Sequence, residues 1–412
     1  MSYTSSLTPK VVHIITRLDP GGLAENTLLT CQYLASRGWT ARLAAGPGKR
    51  SETAKIGGSA VEVIPLPSLQ RDPAPVADAR ALVQIYRLLR REKPAILHTH
   101  SAKAGILGRW AGLLARVPHI VHTPHGHVIY GYAKGIKNWA YLQAERLTAP
   151  LTDRLVALSE GERRESAEHG IGRLDQWVVI PSGIELTKLP AATRSSAPRQ
   201  GPVKIGVVAR LEPVKGLDIL IRAAAILRAE AKTAHEARGD ASANDFEVLV
   251  WGDGEQRQQL AALVESEAVG GLIRFVGTEE PAASFMERLD IYVQPSRNEG
   301  MGRALAMAQG LGLPVLATRV CGIPDIVRDG ESGLLVDSDN PRDLALGLER
   351  LIRDAALRRR LAEGARRWIE TADESGHPRF SVEAMLWHIE RLYRQLARTS
   401  QRLPAARAQG PR

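Results

Sequence analysis

The chain is poor in cysteine, in aromatic residues and in long apolar runs. Its 412 residues include two cysteines, Cys31 and Cys321, one in each half. So sparse a set argues against a disulfide framework and fits a reducing cytoplasm, with both expected as free thiols packed like small hydrophobes. The longest apolar runs are broken by Gly, Pro, Arg or Gln well short of a membrane span. The opening MSYTSSLTPK lacks the apolar core of a signal peptide. The histidines lack zinc-ligand spacing, and His98 and His100, alternating at a strand end, are a poor metal signal. The chain is expected to lack a D-x-D triad for Mg²⁺, and no metal is expected.

What is present is globular. At 412 residues with 44% hydrophobic content, two domains of ordinary size are expected. The net charge of +10 is unevenly placed: residues 1–185 hold 23 Lys+Arg against 15 Asp+Glu, the remainder 32 against 30. A basic half can meet a membrane surface, a phosphorylated lipid or nucleic acid, or it can be ordinary solvated helix faces. The aromatic-rich basic motif of an RNA-binding module is missing, so no nucleic-acid partner is expected.

Short apolar runs alternate with helical periodicity. Val11–Ile15, Ala41–Ala45, Val61–Ile64, Ala95–His98, His119–His122 and Arg154–Leu158 read as strands. Leu23–Ser36, Ala77–Arg91, Ala102–Ala115 and Lys137–Ala149 read as helices. The second half repeats the plan, with strands Val203–Val208, Phe246–Trp251, Ile273–Phe275, Ile291–Val293 and Val315–Ala317. Its helices are Leu217–Ala231, Glu255–Ser266 and Arg303–Leu311. Such alternation means doubly wound parallel sheets. Thr233–Asn244 reads as a polar surface loop, Val382–Ala397 as an amphipathic helix, and the Pro-, Ala- and Arg-rich end as disordered.

The most informative stretch is PSRNEGMGRALAMAQGLGLPVLAT, from Pro295 to Thr318. After a buried strand come Glu299, Gly300, Met301 and Gly302, then a helical pattern. Glycines let a ligand approach the backbone, and free N–H groups at a helix start bind phosphate. The carboxylate is left for ligand hydroxyls, which suits a sugar nucleotide. The segment resembles the signature of glycosyltransferase family 4, E-G-[FM]-G-x-x-x-x-E, with Met307 where the second Glu falls. Gly312-Leu313-Pro314-Val315 fixes that register.

Other loops carry the same resemblance. Arg210 ends a strand and Lys215 precedes Gly216, so two cations on one loop can clamp a diphosphate, one as a planar fork and one as a point charge. Ala209-Arg210-Leu211 through Lys215-Gly216 matches the family's [GA]-R-L-x-x-x-K-G, whose Arg and Lys contact the donor diphosphate. Gly21 and Gly22 lie between a strand and a helix, and the matching family loop lies near diphosphate and acceptor. Gly252-Asp253-Gly254 resembles the family's turn at the nucleotide, though Asp253 can equally close a tight turn that caps the next helix. His125, in a Pro- and Gly-rich loop at a strand's C-terminal end, takes the place of a family His near the scissile bond. His122 reads as a buried strand residue, and His127 is left open. Ser101 and Lys103, in HTHSAKAGILGRWAG, lie near the same end without a chemical role.

The resemblance implies the GT-B fold, two doubly wound domains facing an interdomain cleft. The expected parts are an acceptor-binding domain at 1–188, a linker at 189–202 and a nucleotide-sugar domain at 203–378. A terminal helix at 379–400 crosses back, and a disordered tail occupies 401–412. It further implies retaining, metal-independent transfer from a nucleoside diphosphate sugar, with UDP favoured, to a glycan or polyprenyl-linked saccharide. Glu299, His125, Arg210 and Lys215 would carry the chemistry, in the cytoplasm at the inner face of an anionic membrane. The alternative is a degenerate GT-B protein that binds without catalysis, and Met307 is its only support.

Overall fold

The computed structural model describes residues 9–19, 21–48, 53–56, 59–126, 135–189, 201–238 and 246–407. The chain forms two units. One contains the chain up to Gly183 together with the terminal helix from Val382, and the other spans Ile184–Ser381.

In the first unit the strands are β1 (Lys10–Ile15), β2 (Thr40–Ala45), β3 (Thr53–Ile56), β4 (Ser59–Pro65), β5 (Ile96–His100), β6 (His119–Thr123), β7 (Arg154–Ala157) and β8 (Trp177–Val179). They form one sheet in the order β3-β4-β2-β1-β5-β6-β7-β8. All neighbours are parallel except β3 and β4, which pair as an antiparallel edge. β5 and β6 are buried along their whole length, which is why they carry apolar or internally bonded residues on both faces.

Strand order decides which face each helix covers, because parallel crossovers are right-handed. The helices Pro75–Glu92, Ala102–Ala115 and Ile136–Thr148 make successive crossovers from β4 to β7 in one direction, so they share a face. The helix Gly22–Ser36 steps the other way, from β1 to β2, and takes the opposite face. Side-chain packing follows: Val12, Ile14, Leu97 and Ile120 meet Ile85, Leu89 and Ala111 on the first face. Val11, Ile96 and Val121 meet Leu34, Ile389, Leu392, Tyr393 and Leu396 on the second. The terminal helix, Val382–Arg407, thus completes the core of the first unit.

In the second unit β9 (Val203–Val208), β10 (Phe246–Trp251), β11 (Ile273–Gly277), β12 (Ile291–Gln294), β13 (Val315–Thr318) and β14 (Leu334–Val336) form a parallel sheet in the order β11-β10-β9-β12-β13-β14. Ile205, Val207, Val248, Val250, Ile291 and Val293 build its core with Leu220, Ala224, Leu344 and Leu348 from the flanking helices.

The structure corrects several sequence expectations. The helix from Leu217 continues to Arg238, so the first half of the expected 233–244 loop is helical; Ala234 and Ala237 sustain it. The helix expected from Glu255 begins at Arg257, because Gly252–Gln256 is spent on a turn. The tail expected as disordered from 401 is helical to Arg407, since Ala and Arg are also strong helix formers. The expected linker at 189–202 lies largely outside the described residues.

Candidate active site

In each unit the chain leaves a central strand in one direction and resumes beside it in the other. In open α/β sheets the crevice at the carboxyl ends of such a strand pair is where ligands bind. In the second unit the pair is β9 and β12. Arg210 and Lys215 lie on the loop after β9, and Glu299 lies on the loop after β12.

These two loops are joined. The Lys215 ammonium donates to Glu299 Oε1 at 2.6 Å. That oxygen also accepts from Gln294 Nε2 at 2.7 Å and Ser296 Oγ at 3.0 Å. Gln294 is held in turn by the Tyr292 hydroxyl at 2.7 Å. Burial and the nearby Glu299 charge push that phenol up, so it stays a neutral donor. The close approach depends on Gly216, with φ of 64°, where a Cβ would lie 1.9 Å from the Pro295 carbonyl oxygen. Gly252 has the same role on the neighbouring strand, where a Cβ would meet the Ala209 carbonyl oxygen at 1.8 Å.

A second lock was not legible in the sequence. Arg297 donates twice to Asp218, both at 2.8 Å, and also to Asp339 at 2.6 Å and the Pro213 carbonyl at 2.7 Å. Burial raises the Asp218 carboxyl, but the Arg297 hydrogen bonds and charge outweigh it and hold the group below the usual range. The expectation that the chain lacks a D-x-D is wrong, because Asp337-Ser338-Asp339 is one. Its Asp339 is committed to Arg297.

The remaining donor-side candidates divide. Arg210 pairs with Glu212 at 2.5 Å, and its side chain is 58% exposed and open to a ligand. Asp253 accepts from the Gly254 N–H at 2.8 Å, which closes its own turn, and the following helix gains no cap from it. Met301 is buried, so only the backbone of Gly300-Met301-Gly302 can meet a ligand. The helix starts at Arg303, after Gly302, where the sequence periodicity places it. On it Leu305, Ala306, Ala308 and Gln309 face the core, whereas Arg303, Ala304 and Met307 are half-buried. Met307 therefore shares the outer face of the first turns and is not a core residue.

In the first unit the corresponding pair is β1 and β5. Gly21 follows β1 and precedes the helix that begins at Gly22. Ser101 follows β5 and exchanges a 2.8 Å hydrogen bond with Thr16. Lys103 is committed to an ion pair with Asp78 at 2.6 Å. His125 follows β6 with φ of 61°. Its Nε2 lies 3.0 Å from His100 Nδ1, and His100 Nε2 lies 3.0 Å from His13 Nδ1. His13 Nε2 reaches the Tyr393 hydroxyl at 3.4 Å, which reaches His98 Nδ1 at 2.5 Å, and His98 Nε2 ends on Thr123 at 2.8 Å.

This chain suits neutral rings. A neutral imidazole has one N–H and one lone pair, so every link is satisfied when all the N–H groups point the same way. Burial lowers His13 to about 3 and pushes His98, His100 and His125 below the ordinary histidine value. His122 is a buried strand residue, as its sequence position indicates, bonded to Thr99 at 2.9 Å. His127 lies outside the described residues. His13, His98 and His100 also bring possible ligand nitrogens within 4.8 Å of one another. Both nitrogens of each ring take part in the hydrogen-bond chain. Cys31 is buried and Cys321 half-buried, and neither is in a disulfide.

Comparison with known proteins agrees with this architecture. Residues 190–368 match the family described as Glycosyl transferases group 1, and residues 21–183 match the Glycosyl transferase 4-like domain. The chain therefore belongs to the family 4-like group 1 glycosyltransferases, enzymes of the GT-B fold. It is 27% identical over 300 residues to the Escherichia coli UDP-Gal:alpha-D-GlcNAc-diphosphoundecaprenol alpha-1,3-galactosyltransferase, covering 71% of this chain and 75% of that one. It is 23% identical over 406 residues to the Staphylococcus aureus capsular polysaccharide biosynthesis glycosyltransferase CapM, covering 95% and 98%. Among solved structures, Anabaena HepE in complex with UDP and glucose superposes with a TM-score of 0.71 at 18% identity, covering 94% of this chain and all of that one.

Proposed function

We propose that this glycosyltransferase moves a sugar from a UDP-sugar to a hydroxyl of a lipid-linked or growing glycan in cell-surface polysaccharide synthesis. The observation that carries the reading is the meeting of Lys215 and Glu299 across the β9–β12 crevice, 2.6 Å apart, beside the exposed Arg210. Two cations and a carboxylate at a switch point suit a diphosphate and a hydroxylated sugar on one ligand. The galactosyltransferase relative takes a UDP-sugar and a diphosphoundecaprenol-linked acceptor, and HepE is seen with UDP, which supports the choice of uridine and of a lipid-linked saccharide.

In this reading Arg210 and Lys215 stabilise the charge that grows on the departing UDP. Glu299 takes a hydrogen bond from the donor sugar once Lys215 turns to phosphate. The backbone of Gly300-Met301-Gly302 and the start of the helix at Arg303 face the diphosphate. Gly21, Gly22 and His125 keep the roles that the family resemblance implies for them, and Gly252-Asp253-Gly254 serves the nucleotide. The acceptor hydroxyl attacks the anomeric carbon on the leaving-group face as the bond to phosphate breaks. Its proton passes to the donor phosphate oxygen, so the configuration is retained without a protein nucleophile or a metal.

A thermal-shift screen over nucleoside diphosphates and their sugars tests the donor, because a ligand bound to the folded state raises its apparent stability. UDP and one UDP-sugar should raise the melting temperature more than GDP or ADP. UDP release with acceptor, and an α-linked product from an α-linked donor by NMR, complete the reading. Binding without turnover would establish the non-catalytic alternative, and no response to any nucleotide would overturn both.

A further inference from the structure

Three of the crossover helices on one face of the first sheet, Pro75–Glu92, Ala102–Ala115 and Ile136–Thr148, carry an unusual outer surface. Among the described residues ten large hydrophobic side chains are exposed, and eight of them lie on these helices. Trp110, Leu113 and Leu114 share one face of Ala102–Ala115 at helical spacing. Ile136, Trp139 and Leu147 do the same on Ile136–Thr148. Val76 and Val83 extend the strip onto Pro75–Glu92. Ile136 is 80% exposed and Trp139 63%, values that a soluble surface rarely gives to adjacent large apolar groups.

The charge left exposed on these three helices has one sign. The three helices contain only three acids, and all are drawn into ion pairs: Asp78 with Lys103 at 2.6 Å, Glu92 with Lys10 at 3.3 Å and Glu145 with Arg109 at 2.6 Å. Arg80, Arg87, Arg90 and Arg116 remain exposed around the apolar strip. Apolar groups including tryptophan, within a basic margin and with the acids withdrawn, match the interfacial layer of an anionic bilayer. There indole rings settle at headgroup depth and arginines meet lipid phosphates. No helix among the described residues is long and apolar enough to cross a membrane, so contact through this surface would be in-plane.

We infer that the outer surface of these three helices docks the enzyme on an anionic membrane, seating the first unit at the lipid headgroups. The inference rests on the lipid-linked acceptor proposed above and adds the surface that reaches it. Co-sedimentation of the full chain with phosphatidylcholine vesicles, with and without phosphatidylglycerol, tests it. Binding should require the anionic lipid and weaken as salt rises. The pair Trp110→Ser and Trp139→Ser should lower the partition at least tenfold. Arg87→Glu and Arg116→Glu should each lower it about fivefold or more. All should keep the parent's UDP-induced thermal shift, which shows that the variants are folded.

Failure of the UDP shift in the parent would strike the donor reading and leave the vesicle result standing by itself. Equal sedimentation of parent and variants, or no binding to either vesicle, would overturn the docking surface alone. A parent that dimerises, and becomes monomeric when the two tryptophans are replaced, would also overturn it by showing that a second copy covers the strip.

Discussion

The two units place the same kind of crevice in opposite electrostatic settings. Between β9 and β12 the side chains are charged and half-open: Arg210, Lys215 and Glu299, braced by Arg297 and Asp218. On β1, β5 and the loop after β6 the first unit gathers His13, His98, His100 and His125 near Tyr393, buried or half-buried and held uncharged. The contrast teaches that one topology can either concentrate charge for an anionic ligand or withhold it. A neutral imidazole chain couples the tautomer of His125 to those of His100, His13 and His98, a task a charged cluster could not perform.

Acid should break the comparison most strongly. Burial lowers His13, His98, His100, His122 and His125, so the unfolded chain binds protons below about pH 6.5 that the folded chain refuses. Stability is therefore full above the unfolded value and falls as pH drops toward the folded ones. At pH 5.5 each histidine should cost about 1.4 kcal/mol, several kcal/mol in all. The second unit has no buried histidine among its described residues. Hydrogen exchange followed from pH 7.5 to 5, corrected for intrinsic rates, should show protection lost first in β1, β5 and β6. Equal loss in β9 and β12 would remove the distinction.

Arg210→Ala and Lys215→Ala come next. Each should cut turnover by about 10²-fold or more, as loss of a preorganised charge stabiliser does. Near-normal kinetics in both would mean that the charged crevice does not hold the diphosphate. Met307→Glu should sharpen the same crevice. A carboxylate on the outer face of that helix offers the ribose an acceptor that a thioether lacks, worth about 1.5 kcal/mol or more. The donor KM should fall roughly tenfold with kcat changed less. If KM does not move, the ribose is held elsewhere. Tyr393→Phe is the smallest change. It removes the hydroxyl between His13 and His98 and should cost about 1–2 kcal/mol in urea unfolding. An unchanged midpoint would mean that the rings satisfy each other without it.

Much of this was legible in the sequence. The strand–helix alternation, the loop positions of Arg210, Lys215 and Glu299, and the family follow from local periodicity and short motifs. β3, β8 and β14 were not read, being three or four residues long and too short for a periodic signal. The amphipathic helices Pro341–Arg353 and Ala355–Ile369 also went unread, although Asn340 and Asp354 cap their starts with side-chain hydrogen bonds. The histidine chain was beyond local reading for another reason. It draws His13 from β1, His98 and His100 from β5, Thr123 from β6, His125 from the loop after it and Tyr393 from the terminal helix, and only strand order brings them together. Arg297 lay inside the quoted motif, but nothing local says that its partners are 79 and 42 residues away.

The terminal helix has a consequence for how the chain is made. Ile389, Tyr393 and Leu396 close the face built by Val11, Ile96 and Val121, yet Val382 follows Gly183 only after the whole second unit. At ~5–20 residues per second, the ribosome needs about 10–40 s to travel from one to the other. Throughout that interval the nascent first sheet has an uncovered apolar side, and Tyr393 is absent from its place between His13 and His98. The first unit is begun first and finished last, so its folding waits on the synthesis of nearly the entire protein.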